Sequence, residues 1–395
     1  MQHKKHLSTI FPLLLVLLEI TMYLSMDAYL PALPAAMKDL NTTQQLTQLT
    51  LTMWFLGSAS VQLILAPLSN RYGRRIVLLI GAFIFLLTCV ICSLTHNIYL
   101  LLIMRYIQGA MIPTMIIPGF ATIHDLFDTK QAIQTTGWMM SITVSAPIIG
   151  PFAGSLVLTF SNWRMIFILL SILTLIAMIG LFHKMPETAS KKKEEFKLAQ
   201  IFLHYKNICK NKLFFLYNAT SLSLFAIAIC WITTGPFLLM KSFGLSAMQY
   251  GLLQGLSFCP LFFAGLLLKI FMHYFTPKRL MMIGSVFAAC GTLIVPIGTM
   301  IWSHNYWVFI IAMMIIALGM SVCFSTANRL AVESSAEPMD IRVATSSLLL
   351  SLTSVIASGC ASLIANDVWH YFPVVLIIFA IISLTTGFIA VTLAK

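Results

Sequence analysis

Very little of this sequence is charged. Asp, Glu, Lys and Arg supply 9% of its 395 residues, where a soluble domain carries about 25%, so a water-soluble globular protein is excluded at the outset. Acids are the scarcer sign, 12 against 24 basic residues. The dipeptide Gly-Lys does not occur, which removes the Gly-x-x-x-x-Gly-Lys phosphate loop and any expectation that ATP is the energy source. Seven of the eight cysteines fall in apolar runs, Cys89-Val90-Ile91-Cys92 included, where neither a redox nor a zinc site is expected. His96, His124, His273 and His304 stand singly at expected helix ends, without ligand spacing. No metal, no organic cofactor and no enzymatic constellation is expected.

What fills the chain instead is apolar: 59% of residues are hydrophobic and the mean hydropathy is +0.93. Twelve apolar runs lie near residues 9–37, 47–69, 76–95, 98–120, 133–160, 163–183, 213–240, 247–272, 280–301, 306–331, 343–366 and 370–394. A bilayer core about 30 Å thick is crossed by about 20 helical residues, and irregular backbone is excluded from lipid because its polar groups would go unpaired. The expected fold is therefore all-α and polytopic, with 12 transmembrane helices in two six-helix halves, 1–183 and 213–395. Between them, 184–212 carries Lys191, Lys192, Lys193, Glu194 and Glu195 and reads as a solvated linker with room for an amphipathic segment against anionic lipid. The first run follows His3-Lys4-Lys5-His6 as a secretory signal would, but Glu19 interrupts it and the apolar pattern continues, so a retained helix is expected.

With the N-terminus in the cytoplasm, cytoplasmic segments hold 20 of the 24 Lys and Arg, and the opposite side only Lys38, Arg164 and Lys241. The positive-inside rule then places both termini in the cytoplasm. This asymmetry accounts for most of the net charge of +12, so no nucleic-acid partner is implied.

Arg105 is left inside the fourth span, and the first span holds two acids, Glu19 and Asp27. A charge at the bilayer centre costs roughly 3 kcal/mol even on the lenient scale, so such groups are neutral, paired or facing a wet cavity. Eight residues advance about 12 Å along a helix and turn about 80°, so both acids can reach one broad cavity at different depths. Asp27 and Arg105 fall at one level to within about a turn. Burial favours the neutral acid and a nearby Arg the ionised one, so the balance can change as a cavity opens to either side.

Three further stretches stand out. The second and third spans are joined by Ala66-Pro67-Leu68-Ser69-Asn70-Arg71-Tyr72-Gly73-Arg74-Arg75, the fourth carries Leu101-x-x-x-Arg105-x-x-Gln108-Gly109, and the fifth Ala146-Pro147-Ile148-Ile149-Gly150-Pro151-Phe152-Ala153-Gly154. Asn162-Trp163-Arg164 and Met185-Pro186-Glu187-Thr188 bracket the sixth. Together these resemble the signature motifs of the proton-coupled drug antiporters of the major facilitator superfamily. Glu19, with Met26-Asp27-Ala28-Tyr29-Leu30-Pro31-Ala32-Leu33-Pro34, is similar to the first helix of MdfA-type multidrug/proton antiporters, and the latter stretch also to bicyclomycin/chloramphenicol exporters. The C-terminal half matches mainly in helix count and in a worn Gly265-to-Arg279 loop.

The resemblance implies a proton-coupled exporter of lipophilic or cationic drugs working by alternating access, a monomer in the bacterial cytoplasmic membrane, with protons as the coupling ion. It implies proton-coupling roles for Asp27, Glu19 and Arg105, with an incoming cation expelling the proton by competition. Tyr23, Trp54, Gln108, Met139 and Trp231, with the two acids, are the expected substrate-contacting residues, as Met and aromatic side chains adapt to varied ligands. Asn70, Arg71, Gly73, Arg74 and Asp125 form the expected cytoplasmic latch. Asn70 stands where the family usually has Asp, and Ala66 where it usually has Gly; Asp125 is a candidate substitute for the missing acid. Pro147, Gly150, Pro151 and Gly154 let the fifth span bend and approach, by expectation, a helix of the other half. Two alternatives stand beside this reading: a dedicated metabolite or siderophore carrier of the same fold, and a non-transporting membrane sensor or scaffold.

Overall fold

The computed structural model describes residues 2–189, 198–302, 305–365 and 367–394; Lys191, Lys192, Lys193, Glu194, Glu195 and His304 lie outside the described residues. Fourteen α-helices follow one another: α1 (Gln2–Asp27), α2 (Leu33–Asp39), α3 (Gln44–Tyr72), α4 (Arg74–Leu94), α5 (Ile98–Leu126), α6 (Thr129–Phe160), α7 (Trp163–Lys184), α8 (Leu198–Lys210), α9 (Lys212–Phe237), α10 (Ala247–Tyr274), α11 (Pro277–Ile301), α12 (Trp307–Glu333), α13 (Met339–Leu363) and α14 (Val368–Leu393). There is no strand among the described residues. Among the described residues, twelve helices are 21 residues or longer, matching the twelve apolar runs, and 10 regions are long and apolar enough to cross a membrane. A shorter apolar stretch, Ser145–Phe160, lies in α6. The protein is a multi-pass membrane protein.

Helix starts follow local chemistry. Thr43, Asn97, Asp128, Asn162, Asn211, Thr276 and Asp367 each accept a first-turn N–H on the side chain, and Ser246 forms a capping box with Gln249. The first apolar run is not one helix. Its α-helix ends at Asp27, a 3-10 turn occupies Leu30–Ala32, and α2 resumes at Leu33. Pro31 and Pro34 explain this, because neither has an N–H to continue the ladder while both suit the first turn of a new helix.

The chain divides into two compact units, 1–196 and 197–395. In the first, α3 and α4 pack on α5, α1 and α4 on α7, and α1 also on α6. In the second, α10 and α11 pack on α12, α9 and α11 on α14, and α9 also on α13. Matched in order, the six long helices of each unit share one packing scheme, the mark of parallel repeats in transporters. The second unit is tied through polar groups as well: Ser383 donates to Thr220 O (2.8 Å) and to Ser285 Oγ (3.1 Å).

The short α8 joins the second unit by one edge. Ile208 is fully buried, Asn211 Nδ2 donates to Ser334 O at 2.8 Å, and His204 Nδ1 lies 2.5 Å from Glu337 Oε2 in the turn between α12 and α13. The hydrogen bond from His204 holds the Glu337 carboxyl below its ordinary value of 4.5. A depressed carboxyl contributes stability that is complete above its undocked value and is lost as pH falls through the docked one. The protection of amides over 198–210, read by mass spectrometry and corrected for the intrinsic slowing of exchange in acid, is therefore expected to fall as pH drops below about 4.5, and His204→Ala to lower it at neutral pH and abolish that acid step.

Candidate functional site

The break in α1 creates the site. Tyr29 N–H turns to Met26 O (3.2 Å) instead of closing an α-type bond to Ser25, whose carbonyl is thereby left open. Arg105 of α5 fills it, Nη1 donating to Ser25 O at 2.9 Å and also to Gln108 Oε1. A cation at a helix C-terminus meets both the orphan carbonyls and the negative end of the macrodipole. The guanidinium lies over two rings, 5.1 Å from the Tyr29 centroid and 5.9 Å from that of Phe167, a contact strengthened by the absence of bulk water. Arg105 is fully buried, and its Nε and Nη2 find no acceptor among the described residues.

Asp27 shares this level, as helix geometry predicted, yet makes no ion pair with Arg105; the described ion pairs are Arg74–Asp125, Arg164–Asp39, His204–Glu337, Arg329–Glu333 and His370–Asp367. Asp27 is 4% exposed and stands at the last residue of α1, against Gly150 of α6. Glu19, 1% exposed, accepts from Thr143 Oγ1 at 3.2 Å, and its second oxygen is buried without a donor. Tyr23 lies between the acids and shares Thr143 with Glu19. Trp54 donates from Nε1 to Ser25 Oγ (3.2 Å), and Met139 is buried one turn before Thr143. Gln108 is committed on both sides, to Arg105 and, through Nε2, to Cys89 Sγ at 3.1 Å.

Most of the expected set is thus gathered around α1. Trp231 belongs to the second unit, fully buried and flanked by Phe309 (centroids 6.5 Å apart) and Phe372 (6.2 Å). Ser25, Tyr29, Thr143 and Phe167 were not singled out from sequence. Thr143 carried a weak signal, a hydroxyl one turn before Pro147; Phe167 carried none.

At the turn between α3 and α4, Gly73 has φ 108°, a conformation costly to residues with a side chain. A Cβ there would also strike the Glu187 carboxylate. That carboxylate accepts the N–H groups of Arg74 (2.9 Å) and Arg75 (3.2 Å), placing an anion on the N-terminus of α4. The Arg74 side chain pairs with Asp125 at the end of α5, and Arg75 reaches Phe182 O (2.5 Å) over the Phe182 ring. Asn70 is exposed and Arg71 lies over Tyr72. Glu187, quoted in the sequence with no role, is the acid that organises this turn.

The fifth-span motif needs one correction. The Cβ directions of Gly150 and Gly154 point at Asp27 and at the Ala28 carbonyl, so their close approach is to α1 of the same unit, where the sequence suggested the other half. Pro147 and Pro151 lie inside α6. They free the helix to follow the broken end of α1.

The profile of the Major Facilitator Superfamily matches residues 15–238 and 216–395. The chain belongs to that superfamily. Among curated relatives, "Multidrug transporter MdfA" of Yersinia pestis bv. Antiqua (strain Angola) is 30% identical over 322 residues, 81% of this chain and 78% of the relative. "Multidrug resistance protein MdtM" of Escherichia coli (strain K12) is 28% identical over 327 residues, 82% of this chain and 80% of the relative. Solved structures of the same fold include a D-xylose-proton symporter, with a TM-score of 0.73 at 16% identity over 96% of this chain and 97% of that one. The nucleoside transporter NupG gives 0.73 at 15% identity over 98% and 100%. As a superfamily member, the chain shows its acids, arginine and glycine-proline helix in one place, around α1.

Two substitutions probe this arrangement. Gly154→Val, which drives a branched side chain into the Ala28 carbonyl, is expected to cost roughly 1–3 kcal/mol and to lower the melting temperature of the detergent-purified protein. Glu187→Gln removes the anion from the start of α4, at an expected cost of about 0.3–1 kcal/mol, and is expected to lower melting more than Asn70→Ala does.

Proposed function

We propose that this chain is a proton-coupled exporter of lipophilic, often cationic compounds, working by alternating access in the bacterial cytoplasmic membrane with both termini in the cytoplasm. The observation that carries the reading is the pair of buried acids on α1, neither of them neutralised. Arg105 is turned onto the Ser25 carbonyl and two rings, while Glu19 keeps one oxygen without a donor. A buried acid in that state is most stable with a proton or a cation beside it, and the two exclude each other. Binding of a cationic substrate expels a proton, and protonation expels the substrate.

The relatives named as multidrug transporters support the substrate class, and the excess of basic residues on one side supports the orientation. Tyr23 and Met139 both adjoin Thr143, the donor to Glu19, and supply adaptable apolar contact. No cofactor beyond the coupling proton is required, and the working unit is a monomer.

In proteoliposomes with an imposed pH gradient, Asp27→Asn is expected to abolish gradient-driven transport of a cationic dye while leaving the melting temperature near wild type, because the amide keeps the shape but cannot titrate. Transport at the wild-type rate removes Asp27 from the mechanism. Glu19→Gln is expected to reduce transport of cationic compounds more than of neutral ones; equal losses overturn that division of labour.

A further inference from the structure

The second unit contains a cavity of about 600 Å³ walled by α9, α12 and the start of α13, a volume usual for small-molecule sites. Its floor includes Leu222, Phe324 and Leu350. Its polar lining includes Arg342 and Ser346, each with a donor that has no acceptor among the described residues. Arg342 uses Nη1 on the carbonyls of Val332 and Ser335, which anchors it across the α12–α13 turn, and leaves Nε buried without an acceptor. Ser346, one turn further along the same face of α13, has a buried hydroxyl with no partner. Asn328 adds an exposed amide at the rim. Among the described side chains that line the cavity, the carboxylate of Glu333 pairs with Arg329 at 2.7 Å, and Arg342 has no carboxylate partner.

A guanidinium on a cavity wall with no carboxylate partner among the described residues calls for an acceptor that carries negative charge, and the apolar lining calls for a hydrocarbon body. We propose that this cavity is a binding site for amphipathic anions, with a carboxylate or phosphate head on Arg342 and Ser346 and the apolar body along the floor between α9 and α12. Its charge preference is opposite to that of the acids of α1. Two sources have this chemistry, an anionic phospholipid of the surrounding leaflet and a dissolved alkyl carboxylate.

The test is calorimetric titration of the full-length protein in phosphatidylcholine nanodiscs with decanoate, decanol and decyltrimethylammonium, corrected with empty discs. Decanoate is expected to bind saturably and at least about tenfold more tightly than either of the others. Arg342→Gln is expected to weaken decanoate by roughly 10–100-fold and Ser346→Ala by about 2–10-fold. Arg342→Lys, which keeps the charge and a donor for the turn carbonyls but loses Nε, keeps the test valid if the Gln variant fails to fold and is expected to weaken decanoate severalfold. Phosphatidylglycerol in the discs distinguishes the sources: displacement of the decanoate isotherm marks the lipid as occupant, and an unchanged isotherm marks the solute. Equal affinity for the three head groups, or decanoate binding indifferent to both Arg342→Lys and Ser346→Ala, overturns the proposal. Binding is read without a proton gradient, so its loss and a loss of export are separate results.

Discussion

The contact on which the first unit depends is the one between Arg105 and the open carbonyl of Ser25. A helix that stops inside a membrane exposes backbone acceptors that lipid cannot satisfy. A lone arginine in another helix exposes donors under the same prohibition. Each is costly alone, and each answers the other. Tyr29 and Phe167 then enclose the guanidinium, and because Arg105 is occupied by backbone and rings, Asp27 is free of it. The separation of these two charges follows directly from where α1 breaks.

The same break decides how α6 packs. Beyond Asp27 the chain turns, and Gly150 and Gly154 bring the backbone of α6 against that turn, with no side chain between. The first unit therefore has an interrupted helix, its buried charges and a close helix approach in one region. The second unit repeats the packing scheme without repeating the chemistry. At the position of α1 it has α9, almost wholly buried and lined with Thr, Ser and aromatic side chains, which cross-links helices through hydroxyls.

How much of this could be read in the sequence depended on distance along the chain. The twelve spans were plain, since each is a continuous apolar run whose ends carry polar or capping residues. The level shared by Asp27 and Arg105 followed from helical rise alone. The break after Asp27 was signalled by Pro31 and Pro34, but the apolar pattern ran through them and suggested one continuous helix. Nothing local announced Phe167 as a neighbour of Arg105, because a ring 62 residues away carries no mark of the charge it covers. Glu187 shows the same limit: its motif was visible, but its docking on the N-terminus of α4 needed the backbone geometry of Gly73.

The arrangement around Ser25 also orders the making of the protein. Helices enter the bilayer from the N-terminus onward as the chain is synthesised, and α5 brings a charge whose insertion costs about 2.5–3.5 kcal/mol at the centre of a bare span. By then α1 is already in place with its carbonyl open, so the arginine meets an acceptor on arrival. The aromatic lid over it, Phe167, comes with α7, two helices later. The interrupted first helix thus acts as a docking point prepared in advance for the one span that lipid would otherwise resist.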